Sequence, residues 1–126
     1  MGRIDPNRLV DLAAHAAWEV KANHPVILDL REISSIADHF LICSADSDRH
    51  VRAVADYIGE CLKKMHIRLH HREGYQTARW ILLDYHDLVI HIFDEETRQY
   101  YNLERLWADA PQREYRRPDA SHNRAE

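Results

Sequence analysis

Apolar positions along this chain recur with two periods, and the switch from one period to the other marks its elements. Asp5-Pro6 opens a helical stretch, because Asp caps a helix and Pro fits its first position. Leu9, Val10, Leu12, Ala13, Ala16, Ala17 and Val20 then follow at helical spacing, which predicts a helix ending before Asn23-His24-Pro25. Val26 to Arg31 alternates as a strand, with Val26, Leu28 and Leu30 opposed to Ile27, Asp29 and Arg31. A loop holding Ser34, Ser35 and Asp38 leads to a second strand, His39 to Cys43. Ser44-Ala45-Asp46-Ser47 starts the clearest helix, whose stripe is Val51, Val54, Ala55, Ile58, Leu62 and Met65. A third strand is predicted from Ile67 to His71, then a break at Glu73-Gly74. Asp94-Glu95-Glu96 caps a short helix or turn, and Tyr100 to Trp107 closes the domain.

Between these lies a hairpin signal, Trp80 to Asp84 and Asp87 to Phe93. Pairing Asp84 with Asp87 around a Tyr85-His86 turn puts Ile81, Leu83, Leu88, Ile90 and Ile92 on one face. Trp80, Leu82, Asp84, Asp87, Val89, His91 and Phe93 share the other. The first face is a core layer. The second mixes aromatic, aliphatic and acidic groups, which suits a docking surface, and it is expected to be the uncovered side of the sheet. The element order predicts one α+β domain over residues 1–110, a mixed sheet of about five strands flanked by helices. Residues 111–126 lack apolar anchors and are predicted to be a disordered tail.

Composition narrows the function. A chain of 126 residues supports one core. No apolar run approaches the ~20 residues that cross a bilayer, so no membrane partner is expected. The N-terminus has neither a signal-peptide core nor a transit-peptide composition, so a cytoplasmic location is expected. A net charge of −4 disfavours broad phosphate-backbone binding and suits a basic protein partner. Cys43 and Cys61 show no CxxC spacing and are expected to be reduced.

Candidate chemistry is sparse. The three glycines, Gly2, Gly59 and Gly74, form no phosphate-binding loop. Ser44 to Ser47 could hold an anion at a helix start, but capping explains it more simply. Asp84 and Asp87 could hold a divalent metal, although Asp is a common turn residue and no third ligand is evident. Among ten histidines, His66 and His70 would lie ~13 Å apart on a strand, too far for one zinc ion. Cys43, Cys61 and Ser44 near His50 lack an activating motif. Of the aromatics, Trp107 and one of Tyr100 and Tyr101 are expected in the core, whereas Trp80 suits an interface anchor. Arg113, Arg116 and Arg117 could touch RNA, but a solvated tail is the simpler reading.

Several segments together resemble the ribosomal silencing factor (Iojap-like) family. They are Asp29-Leu30, Ile36 to Ser44, Ser47 to Val51, Ala53 to Asp56, Glu73-Gly74, Trp80 to Tyr85, Asp87 to Phe93, and Tyr101 to Trp107. The resemblance covers about residues 7–108 in family order. It implies a nucleotidyltransferase-like fold without its catalytic apparatus, and so no enzyme activity, cofactor or metal. It also implies binding to the large ribosomal subunit through ribosomal protein uL14, a steric block to subunit joining when nutrients are scarce, and a possible homodimer. No specific nucleic-acid sequence is expected as a partner. The chain departs from the family at Ala45 and His86, where Gly is usual, and at Asn102, where Asp is common.

On that basis Trp80, Leu82, Val89, His91 and Phe93 are the expected apolar centre of a docking face. Asp84, Asp87 and Glu95 would meet Lys or Arg on the partner, with Tyr85 and Tyr101 at the rim. The rival readings are a nucleotidyltransferase using Asp84 and Asp87 with Mg²⁺, and an adaptor whose sheet face serves only self-association.

Overall fold

A computed structural model describes residues 4–116. Its elements run α1 (Pro6–Glu19), β1 (Asn23–Asp29), β2 (His39–Ala45), α2 (Asp48–Lys64), β3 (His71–Glu73), β4 (Trp80–Asp84), β5 (Leu88–Asp94), α3 (Glu95–Tyr101), α4 (Leu103–Leu106) and β6 (Gln112–Glu114). The strands form one sheet of order β3-β4-β5-β2-β1-β6. β2 and β5 are parallel, and every other neighbouring pair is antiparallel. The architecture is the expected α+β mixed sheet, with six strands instead of about five.

Capping sets the helix boundaries. Asp5 Oδ1 accepts from the Asn7 amide, Ser47 Oγ from His50 and Asp94 Oδ1 from Thr97, each satisfying a donor that the first helical turn leaves free. At the far end of α2, the amides of His66 and Ile67 bond back to the carbonyls of Lys63 and Leu62, with His66 at φ 64°. That closing turn overrides the strand predicted over Ile67 to His71. Pairing begins only where the His70 amide reaches the Asp84 carbonyl, and β3 runs His71–Glu73.

The sheet buries both faces. α1 and α2 cover one, packing Leu9, Val10, Val51, Val54, Ile58 and Leu62 against Ile27, Leu41, Ile81, Leu83, Leu88, Ile90 and Ile92. Leu28, Leu30, Phe40, Ile42, Val89 and Phe93 form a smaller core on the other side, roofed by Leu103 and Ala110, with Trp107 packed against it. β2 lies between β5 and β1 under both layers, so all seven of its residues are buried.

Other strand boundaries differ from expectation as well: β1 runs Asn23–Asp29 instead of Val26 to Arg31, and β2 continues to Ala45. β1 starts at Asn23 because Asn23 pairs with Ser44; Pro25, which cannot donate to a ladder, is accommodated in an irregularity of the register between Asn23 and Val26. Residues 112–114 pair with β1 as β6, and Tyr115 is buried against the helical layer, so order continues past residue 110. Arg113 pairs with Asp11 and Arg116 with Glu114. Arg117 and the remainder of the predicted tail lie outside the described residues.

Candidate protein-docking site

The hairpin keeps its predicted faces but not its predicted register. Asp84 pairs with Val89, Leu83 with Ile90 and Leu82 with His91, and the Tyr85 amide donates to the Leu88 carbonyl. The turn is therefore His86-Asp87, one residue later than expected. His86 adopts φ 71°, its amide donates to Asp84 Oδ1 at 2.8 Å, and the Asp87 amide donates to the Tyr85 carbonyl. These bonds select the turn. Because the slip changes the pairing by an even number, the side chains of Trp80 to Asp84 and Leu88 to Phe93 keep their faces, while Asp87 moves into the turn and Tyr85 leaves it.

The second face, which the alternation predicts to be uncovered, is instead partly roofed. Val89, His91 and Phe93 are buried beneath it, Phe93 completely. The roof arises from Asn102, whose left-handed conformation (φ 47°) ends α3 and starts α4, turning Leu103 and Trp107 back over the sheet. Trp107 meets Phe40 edge-on, with ring centroids 5.6 Å apart. Tyr85 is not at this rim: it is buried on the helical side, and burial pushes its hydroxyl pKa up.

What stays accessible is the β4 side. Trp80, Leu82 and Asp84 are half-buried, and Asp87 lies half-buried in the adjoining turn. Tyr101, 49% exposed, packs against Trp80 at 4.8 Å, and Tyr100, 80% exposed, packs edge-on against Tyr101 at 5.0 Å. Neither tyrosine is in the core. Tyr100 and the exposed Leu106 went unrecognised as candidates, because a helix of four to seven residues carries too few apolar positions to show its buried side.

Trp80 is held in place from below. Its indole N–H donates to His91 Nδ1 at 3.1 Å, while its ring packs on Phe93 at 4.9 Å. An accepting Nδ1 puts the proton of the neutral ring on Nε2, which is buried with no hydrogen-bond partner. The Phe40 ring stands edge-on to His91 at 4.5 Å. Desolvation in this aromatic box pushes the His91 pKa down to about 4, so the ring is neutral at pH 7.

Other predicted residues hold the fold together. Glu95 Oε2 accepts from Asn23 Nδ2 (2.6 Å) and from Ser44 Oγ (2.9 Å). Beside it Arg98, which the sequence reading did not single out, reaches Glu104 at 2.7 Å, Ser44 Oγ and the carbonyls of Asn23 and His24. No spacing rule joins position 98 to 23, 44 and 104; only the packing of α3 across the ends of β1 and β2 does so. Burial pushes the Cys43 thiol up to about 12, where it is unreactive. Among the described residues no group of three or more His, Cys, Asp or Glu is placed to hold a metal, and no helix is long and apolar enough to cross a membrane.

Comparison with known proteins agrees with this architecture. Residues 3–126 match the family model described as "Ribosomal silencing factor during starvation". Ribosomal silencing factor RsfS of Halalkalibacterium halodurans is 44% identical over 103 residues, 82% of this chain and 88% of that protein. A mouse relative named "Mitochondrial assembly of ribosomal large subunit protein 1" is 36% identical over 101 residues, 78% of this chain and 44% of that protein. A crystal structure from Chromobacterium violaceum superposes with a TM-score of 0.81 at 28% identity, covering 83% of this chain and 88% of the other. Matched over nearly its whole length by the model and over four fifths of it by a close relative, the chain belongs to the ribosomal silencing factor family.

Proposed function

We propose that this protein is a non-enzymatic regulator of translation that binds the large ribosomal subunit through ribosomal protein uL14 and blocks joining of the small subunit by occupying its space. The observation that carries this reading is the family match over residues 3–126. The name of the mouse relative, which refers to the ribosomal large subunit, supports the choice of subunit. Trp80, Leu82 and Tyr101 form the apolar contact, with Asp84 and Asp87 beside them for Lys or Arg on the partner. Val89, His91 and Phe93 act from beneath by holding Trp80. No catalytic side chain or cofactor is required, because the effect is steric. The same patch would serve a homodimer, which would then compete with the subunit.

Sedimentation of the purified protein with large subunits tests the reading. Trp80→Ala should weaken binding by about 2 kcal/mol, roughly thirtyfold, if the indole is a hot spot. A folded Trp80→Ala, Tyr101→Ala double variant that still co-sediments normally and still depletes intact ribosomes would place the contact elsewhere.

A further inference from the structure

Residues 61–72, from the end of α2 into β3, hold four of the chain's 17 Lys and Arg and none of its 21 Asp and Glu. Lys63 and Lys64 suit the C-terminal end of α2, where unpaired carbonyls favour cations. Arg68 and Arg72 lie beyond the helix and have no such role. All four side chains are exposed, and among the described residues none of them pairs with a carboxylate. Arg72 lies over the Tyr75 ring at 4.2 Å instead. By contrast, Arg31, Arg52, Arg98, Arg113 and Arg116 each reach an acid.

Lys63, Arg68 and Arg72 surround a cleft of about 630 Å³ between α2 and the segment leading into β3. Its buried lining is apolar, from Ala55, Leu83 and Tyr85, and the Tyr85 hydroxyl has no hydrogen-bond partner among the described residues. Gly59 lines the cleft, and a Cβ there would meet nothing within 4 Å. Asp56 and Glu60 line it as well, and Asp56 is occupied by the Tyr75 hydroxyl at 2.9 Å. The cationic segment adjoins the proposed docking strand, with His71 opposite Asp84 and Glu73 opposite Leu82.

We propose that this cleft and its cationic rim bind single-stranded RNA. Backbone phosphates lie against Lys63, Lys64, Arg68 and Arg72, and one unstacked base enters over Leu83 and Tyr85. Unpaired cations around an apolar recess match a polyanion that also carries flat apolar rings. A membrane surface fits less well, because the four cations are spread over the end of α2, an irregular segment and β3, beside Asp56 and Glu60, and not along one face of a basic amphipathic helix. The biological setting rests on the ribosomal reading above, but the binding itself is testable on RNA alone.

The test is fluorescence anisotropy of the full chain with a labelled 12-nucleotide single-stranded RNA and a 12-base-pair RNA duplex, from 50 to 200 mM KCl. The single strand should bind at least about tenfold more tightly, with a log–log salt slope of about −2 to −3 for three or four phosphates. The K63Q/R68Q/R72Q variant should lose at least about tenfold in affinity and flatten that slope. Gly59→Leu, which fills the cleft from a helix position with open space, should weaken the single strand about fivefold or more if the base stacks there. Equal binding of duplex, tighter binding to phosphatidylglycerol vesicles, no binding at 50 mM KCl, or full binding by either variant would overturn the proposal. Trp80→Ala separates the two readings. Lost subunit binding with normal RNA binding supports both, whereas a K63Q/R68Q/R72Q variant with normal RNA binding removes only the RNA surface.

Discussion

His91 should make this protein acid-sensitive, and the size of the effect follows from its surroundings. The ring is 4% exposed, boxed by Phe40, Trp80 and Phe93, and its pKa is about 4 against an ordinary 6.5. Between those values the unfolded chain takes up a proton that the folded chain refuses, so stability is lost as the pH falls from 6.5 towards 4. At about 1.4 kcal/mol for each tenfold change in proton affinity, the loss is about 3 kcal/mol. His39, also buried and lowered by desolvation, shifts stability in the same direction, so the wild type alone does not isolate His91. His91→Gln supplies the control: it offers Trp80 a similar acceptor but does not titrate. Urea unfolding at pH 7, 6, 5 and 4 should show the wild type losing about 2–3 kcal/mol more than the variant. Parallel losses, or a His91 ring titrating near 6.5 by NMR, would refute the reasoning.

Arg98→Met should cost about 3 kcal/mol in thermal or urea unfolding, because it leaves the Glu104 carboxylate and two backbone carbonyls without their partner. Gly74→Ala should destabilise by more than about 1 kcal/mol: φ is +82°, and the new Cβ would overlap the Trp80 carbonyl oxygen. Alkylation of the native protein with iodoacetamide should modify the half-buried Cys61 and spare Cys43, with mass spectrometry of tryptic peptides as the readout.

Much of the fold is legible in the sequence. The caps at Asp5 and Ser47, the stripe of α2 and the two faces of the β4–β5 hairpin depend on local bonding and on period, which belong to the sequence itself. The faces survived even a wrong register, because an even slip moves no residue across the sheet. The misses share a cause. The strand expected from Ile67 gave way to the closing turn of α2, and Gln112 to Glu114 joined β1 despite having no apolar anchors. Strand formation there depends on a distant partner that the segment's own residues do not announce.

The docking face shows the same division. Alternation placed Trp80, Leu82, Val89, His91 and Phe93 on one side of the hairpin, and that was correct. Which of them meets solvent was a tertiary decision. Asn102 turns the chain in a left-handed conformation, Leu103 and Trp107 come back over β5 and β2, and the face divides into a buried half and an accessible half. Tyr85 was assigned to the wrong side because the turn begins one residue later, leaving it in the strand alternation and facing α2. The sequence by itself determined the capped helices α1 and α2, the two faces of the β4–β5 hairpin and the family. Tertiary packing decided exposure, the hydrogen bond that orients Trp80, and the cleft that Leu83 and Tyr85 form beside the cations of residues 61–72. Those properties depend on which distant segments meet, and no local periodicity encodes that.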